Sequence, residues 1–158
     1  MVLRADFLCG IAKCSRNLIW MMKTKLLFVC TANAARSQMA EGLLRARYGD
    51  RYDVYSAGTR QSKVSLRAIA VMQEIGIDIS GHRSKTLDDV SGIPFDLAVT
   101  LCDNAHAVCP IVPNAKKTIH KGFADPHVTT GSEEDVLAVY RRIRDEIAVW
   151  IDATFRAG

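Results

Sequence analysis

Cys30 and Arg36 bracket five small or polar residues, Thr31 to Ala35, and Ser37 follows at once. Before them runs the apolar stretch Leu26–Val29, and after them a helix-forming run begins at Gln38. A short, continuous apolar run of strand formers reads as a buried strand. Strand, tight loop and helix start, in that order, make an anion cup. Successive backbone N–H groups curl inward, and the helix N-terminus adds unpaired donors and the positive end of its dipole. Small side chains at Ala32, Ala34 and Ala35 allow close approach of a tetrahedral oxyanion, and the Arg36 guanidinium can grip two of its oxygens. Cys30 then sits at the base, where those fields favour a thiolate. The chemistry on offer is nucleophilic attack by sulfur on the centre of a bound oxyanion.

A second pair of thiols lies at Cys102 and Cys109, just beyond another apolar run, Phe95–Leu101. Seven positions are two helical turns, about 10 Å along the axis, which is too far for a disulfide. A helical segment here must unwind before the two sulfurs can bond, as a redox switch would. His106 between them also permits a zinc reading, but Cys-x3-His-x2-Cys supplies only three ligands. Inert structural cysteines are the third alternative. His82, in the string DISGHRSKTL, can position the loop, bind an anion or act as a structural hydrogen-bonding residue.

These residues need a frame. The patterning predicts helices over about 37–48, 65–75 and from 133 onward. Met39, Leu43, Leu44 and Tyr48 face inward from the first, and Ala68, Ile69, Met72 and Ile75 from the second, which Gly76 stops. Ser132 caps the third ahead of Glu133, Glu134 and Asp135, and its stripe is Val136, Tyr140, Ile143, Ile147 and Trp150. Strands are expected at 26–29, 53–57, 95–101 and 116–120. Alternation of strand and helix implies a single-domain α/β fold, doubly wound, with a central four-stranded parallel sheet flanked by helices. In such sheets ligands bind at the carboxyl ends of the strands, where Cys30 and Cys102 both fall.

The 158 residues suit one domain, and 49% hydrophobic with 24% charged content is ordinary for a globular protein. A net charge of +4 suits an anionic substrate, and no basic-aromatic patch argues for nucleic acid. Arg4, Asp6, Lys13 and Arg16 interrupt the apolar runs at the N-terminus, so neither a signal segment nor a membrane span is expected there. Residues 1–20 are read as an extension outside a catalytic domain of residues 21–158, leaving Cys9 and Cys14 without an assigned role. An odd cysteine count of five points to a reducing compartment, hence the cytoplasm.

The string CTANAARSQMAEG, residues 30–42, resembles the low-molecular-weight protein tyrosine phosphatases, and more closely the arsenate reductases built on their fold. SAGT at 56–59 and the TLC…CP frame around Cys102 and Cys109 extend the resemblance over about residues 22–156. It implies arsenate or another tetrahedral oxyanion bound by Thr31, Ala32, Asn33, Ala34, Ala35 and Arg36. It also implies Cys30 as nucleophile, Ser37 as hydrogen-bond donor to its sulfur, and Asp125 of the Asp-Pro turn as general acid. Cys102 and Cys109 would complete a thiol relay emptied by an external dithiol, thioredoxin, with no bound cofactor and a monomeric enzyme. Ala35 stands where many relatives carry a further cysteine, which a three-sulfur relay does not require. Some reductases hold potassium beside the loop; Arg83 and Lys85 bring positive charge there instead, so no metal is expected. The same loop also fits phosphotyrosine hydrolysis, or a non-enzymatic thiol sensor or metal-binding regulator.

Overall fold

The computed structural model of the chain describes residues 22–103 and 110–157. Cys9, Cys14, His106 and Cys109 lie outside these residues, as does the extension assigned to 1–20. Strands β1 (Thr24–Cys30), β2 (Tyr52–Gly58), β3 (Phe95–Thr100) and β4 (Ala115–His120) form one parallel sheet in the order β2-β1-β3-β4. The two central strands carry the continuous apolar runs: Leu26 to Cys30 and Ala98 to Leu101 are all buried. A strand paired on both edges and covered on both faces has no solvent side to alternate with. β4 is an edge strand, and its Lys116 and Lys117 are exposed.

Helices α1 (Arg36–Tyr48), α2 (Leu66–Gln73) and α3 (Glu133–Phe155) all contribute to the core on the sheet face formed by Leu26, Phe28 and Cys30. Leu43 and Leu44 of α1 meet Ile143, Ile147 and Ile151 of α3 within that core. Each such side chain contributes about 1.5–3 kcal/mol by leaving water. The opposite face, from Leu27, Val29 and Ala98, is covered by Leu87, Val90, Ile93 and Val112, which belong to connections containing a single short 3-10 turn. The long helix opens on a full capping box: Ser132 accepts from the Asp135 N–H while Asp135 accepts from that of Ser132.

One expectation needs correction. The second helix stops at Gln73, not Ile75, and Ile75 is 41% exposed rather than inward. The Ile77 N–H reaches the Met72 carbonyl and the Gly76 N–H that of Gln73, with Gly76 at φ +77°. This closing motif turns the chain out of the helix before Ile75 can complete another inward position, which Val71 fills instead.

The register aligns Cys30 with Gly58 and Val29 with Thr100, so the segments after β1, β2 and β3 share one edge. At Gly58 the backbones nearly touch. A Cβ there would lie 2.7 Å from the Asn33 nitrogen and 2.8 Å from the Thr31 oxygen. Gly58→Ala should therefore displace the 31–33 loop, cost about 1–3 kcal/mol of stability in urea unfolding, and weaken oxyanion binding. Unchanged binding would show that the loop tolerates the shift.

Candidate active site

Asn33 organises the loop. It is fully buried and lies in the left-handed region at φ +48°, a conformation asparagine tolerates better than most residues. Its Nδ2 donates to Ser37 Oγ at 2.8 Å and Ser56 Oγ at 2.9 Å. Its Oδ1 accepts from the Lys85 N–H at 2.7 Å and from Gln38 Nε2 at 2.9 Å. The Asn33 side chain thus faces the scaffold rather than the cup's wall, which leaves its backbone N–H as its part in the oxyanion-binding set.

The cup is a cavity of about 230 Å³ lined by Cys30, Thr31, Ala32, Ala34, Ala35, Arg36, Arg60, Asp125, His127 and Val128. Ser37 Oγ lies 2.9 Å from Cys30 Sγ. Because Asn33 donates to that oxygen, the Ser37 hydroxyl proton is left to point at the sulfur, as a thiolate nucleophile requires. Helix α1 starts at Ala35 without any side-chain cap, whereas Ser65 and Ser132 cap the other two. Among the described residues, the N–H groups of Ala32 to Arg36 make no hydrogen bond to the rest of the chain. Unclaimed N–H groups around a buried sulfur are an oxyanion receptor.

Arg36 is 5% exposed and spans the mouth, donating to the Phe123 carbonyl at 3.1 Å and pairing with Asp125 at 3.2 Å. Asp125 also accepts the His127 N–H at 3.0 Å and begins the short turn Pro126–Val128. Proline fixes the backbone there, so the carboxyl is held over the cup. Cys102 is 4% exposed, two residues past β3, with Sγ 3.9 Å from Thr31 Oγ1. Of the expected thiols, Cys30 and Cys102 are thus brought to one edge, while Cys109 lies outside the described residues.

Three wall residues, Arg60, His127 and Val128, escaped the sequence reading. Arg60 follows the SAGT turn, and its N–H is fixed to the Thr31 carbonyl at 3.1 Å. His127 follows Asp125-Pro126. For Arg60 a signal existed: any residue just after β2 must stand beside the loop after β1.

His82 belongs to the support of the loop. Arg45 can only donate, so His82 Nε2, 3.2 Å from it, accepts; Nδ1 then donates to Gln38 Oε1 at 2.9 Å. Gln38 in turn donates to Asn33. Beneath lies Glu41, buried, bonded to Arg45 and Ser56, with the Lys85 ammonium 3.8 Å away. Of the positive charges expected near the loop, the Lys85 ammonium thus faces the Glu41 carboxylate. Burial pulls the Lys85 ammonium below its ordinary range, against the pull of Glu41.

A parallel α/β sheet with a cysteine in a helix-capping oxyanion loop, an arginine after five residues and an aspartate over the mouth defines a class of cysteine-nucleophile enzymes. The chain belongs to the low molecular weight phosphotyrosine protein phosphatase family, whose model matches residues 25–156. Within it, the chain is 48% identical over 127 residues to an arsenate reductase of Halalkalibacterium halodurans, spanning 80% of this chain and 91% of that one. It is 43% identical to the arsenate reductase of Bacillus subtilis over the same shares. An arsenate reductase in the oxidized state superposes with TM-score 0.70 at 30% identity, over 86% of this chain and 98% of that one. A low molecular weight protein tyrosine phosphatase from T. tengcongensis superposes with TM-score 0.64 at 27% identity, over 86% and 100%.

The His82 network makes a pH prediction. Burial, then the charges of Arg45 and Lys85, lower the His82 pKa below 6.5, with Glu41 and Asp78 pulling the other way. A histidine depressed in the fold binds fewer protons than in the unfolded chain, so its contribution is full above about pH 6.5 and is lost as pH falls below it. Urea unfolding should show wild-type stability falling from pH 6.5 to 5, and His82→Gln should flatten that part of the profile. Parallel profiles would remove His82 from the account.

Proposed function

We propose that this protein is an arsenate reductase working by a three-thiol relay. The observation that carries the reading is the second buried thiol, Cys102, at the same sheet edge as the Cys30 oxyanion cup. The 42–48% identity to curated arsenate reductases supports it. Arsenate enters the cup, its oxygens meeting the N–H groups of 32–36 and the Arg36 guanidinium. Cys30 attacks arsenic, and Asp125 protonates the departing oxygen, which leaves as water. Cys102 then attacks the Cys30 sulfur. The sulfur–arsenic bonding pair stays on arsenic, which leaves as arsenite, and a Cys30–Cys102 disulfide forms. Cys109 attacks Cys102, releases Cys30 as thiolate, and passes a Cys102–Cys109 disulfide to an external dithiol, for which thioredoxin is the expected protein. A cytoplasmic monomer with no bound cofactor fits this scheme; among the described residues no helix is long and apolar enough to cross a membrane.

Phosphotyrosine hydrolysis is the second reading, favoured by the family match and using Cys30, Arg36 and Asp125 in the same roles. Among the described residues the cup's wall holds no phenylalanine, tyrosine or tryptophan to bracket an aryl ring, which favours a bare inorganic anion. Arsenite release coupled to thioredoxin, thioredoxin reductase and NADPH tests the first reading directly. Cys30→Ser should abolish arsenate reduction and aryl phosphate hydrolysis alike. Cys102→Ser should lose reduction more than a hundredfold yet keep residual hydrolysis. Cys109→Ser should release one equivalent of arsenite and stall as Cys30–Cys102, read by non-reducing peptide mapping. Multiple turnovers by Cys109→Ser at the wild-type rate would replace the relay with the hydrolase.

A further inference from the structure

The turn that carries Asp125 also carries a histidine whose hydrogen-bonding state is dictated from the far side of its ring. Ser65 Oγ accepts the Ala68 N–H at the start of α2, so its own proton goes to Tyr140 Oη, 3.2 Å away. Tyr140 is fully buried, and with its oxygen already accepting from Ser65 its single proton points to His127 Nδ1 at 2.6 Å. Burial raises the Tyr140 pKa above the usual phenol range, although the Ser65 bond pulls it down, so the phenol remains a donor at neutral pH. An imidazole that accepts at Nδ1 carries its proton on Nε2. Among the described residues Nε2 has no protein partner, and His127 forms part of the cup's wall. Its backbone is set by the bond from its N–H to Asp125 Oδ1, so acid and imidazole are presented by one rigid turn.

We propose that His127 is a further substrate-binding residue, oriented through Nδ1 by the Ser65–Tyr140 relay so that its Nε2–H donates to the outer oxygen of the bound oxyanion. The proposal rests on the oxyanion reading of the Cys30 cup. In-line attack by Cys30 places the departing oxygen opposite the sulfur, at the mouth, where Arg36 is already shared with Asp125 and Phe123. His127 adds a donor there from the same turn that holds Asp125. A bare outer oxygen can accept this bond, so the residue selects inorganic oxyanions over esters, whose outer oxygen carries a substituent.

The test uses the full chain and inorganic phosphate as the probe, measuring the concentration that half-protects Cys30 from alkylation. His127 is exposed, so substitutions there leave the core intact. His127→Ala should raise the half-protecting concentration about tenfold, the weight of one donor to an anion. His127→Gln, whose amide nitrogen reaches the Nε2 position, should restore most of the loss, and His127→Asn, which mimics Nδ1, should not. Tyr140→Phe, which removes the donor to Nδ1, should shift it about threefold with His127 still present. For arsenate turnover the loss should fall on KM rather than kcat. Equal protection of wild type and His127→Ala, or equal loss in the Gln and Asn variants, would overturn the proposal alone. Failure of phosphate to protect wild-type Cys30 would instead overturn the cup reading on which it stands.

Discussion

The site depends on one buried amide. Asn33 takes a left-handed backbone conformation inside the loop and spends all its side-chain hydrogen-bonding capacity on Ser37, Ser56, Gln38 and Lys85. Those four partners come from α1, β2 and the connection behind the loop, so a single side chain ties three segments to the curve of the backbone. Leaving any of these buried donors or acceptors unpaired would cost about 1–3 kcal/mol each. The left-handed turn at Asn33 is thus held by four hydrogen bonds from the scaffold beneath the cup.

The helices divide their labour in the way their ends are finished. α2 and α3 start on serines whose hydroxyls take up N–H groups, so their termini are complete. α1 starts on Ala35, which has nothing to offer, and its first turns bury Ser37, Gln38 and Glu41 along with Met39. A helix that buries so much polarity is a poor packing element over those turns. It is tolerated because Leu43 and Leu44 supply the apolar contact further along, where α3 crosses. Stability and chemistry occupy successive lengths of the same helix.

Most of the frame was legible in the sequence, for identifiable reasons. β1 and β3 announce themselves as apolar runs because both are interior strands, and the cup is legible because Cys30, its loop and Arg36 are contiguous. Cys102 could be placed beside Cys30 once both were read as ending parallel strands. Arg60, His127 and Val128 were not seen, since they join the site from connections outside the Cys30 loop and belong to no periodic pattern. The Ile75 error has a local cause: helical spacing continued on paper past the point where Gly76 had already turned the chain. Asn33 was read only as part of the anion loop, and nothing in its residue type announces a side chain turned to the scaffold beneath.

The register of the sheet has a consequence for the chemistry of its edge. Cys30 ends one central strand, and Cys102 stands one step beyond the position facing it on the neighbour. Neighbouring strands are held about 4.8 Å apart by their backbone ladder, so that diagonal is about 6 Å between Cα atoms. A disulfide spans about 4.4–6.8 Å. The sheet therefore acts as a ruler for the two backbones, holding them at a separation that a disulfide can span. Because side chains alternate along a strand, Cys102 leaves on the other side from Leu101, the residue beside Cys30, so joining the two sulfurs would fall to the chain beyond β3 and leave the stiffest part of the molecule unchanged.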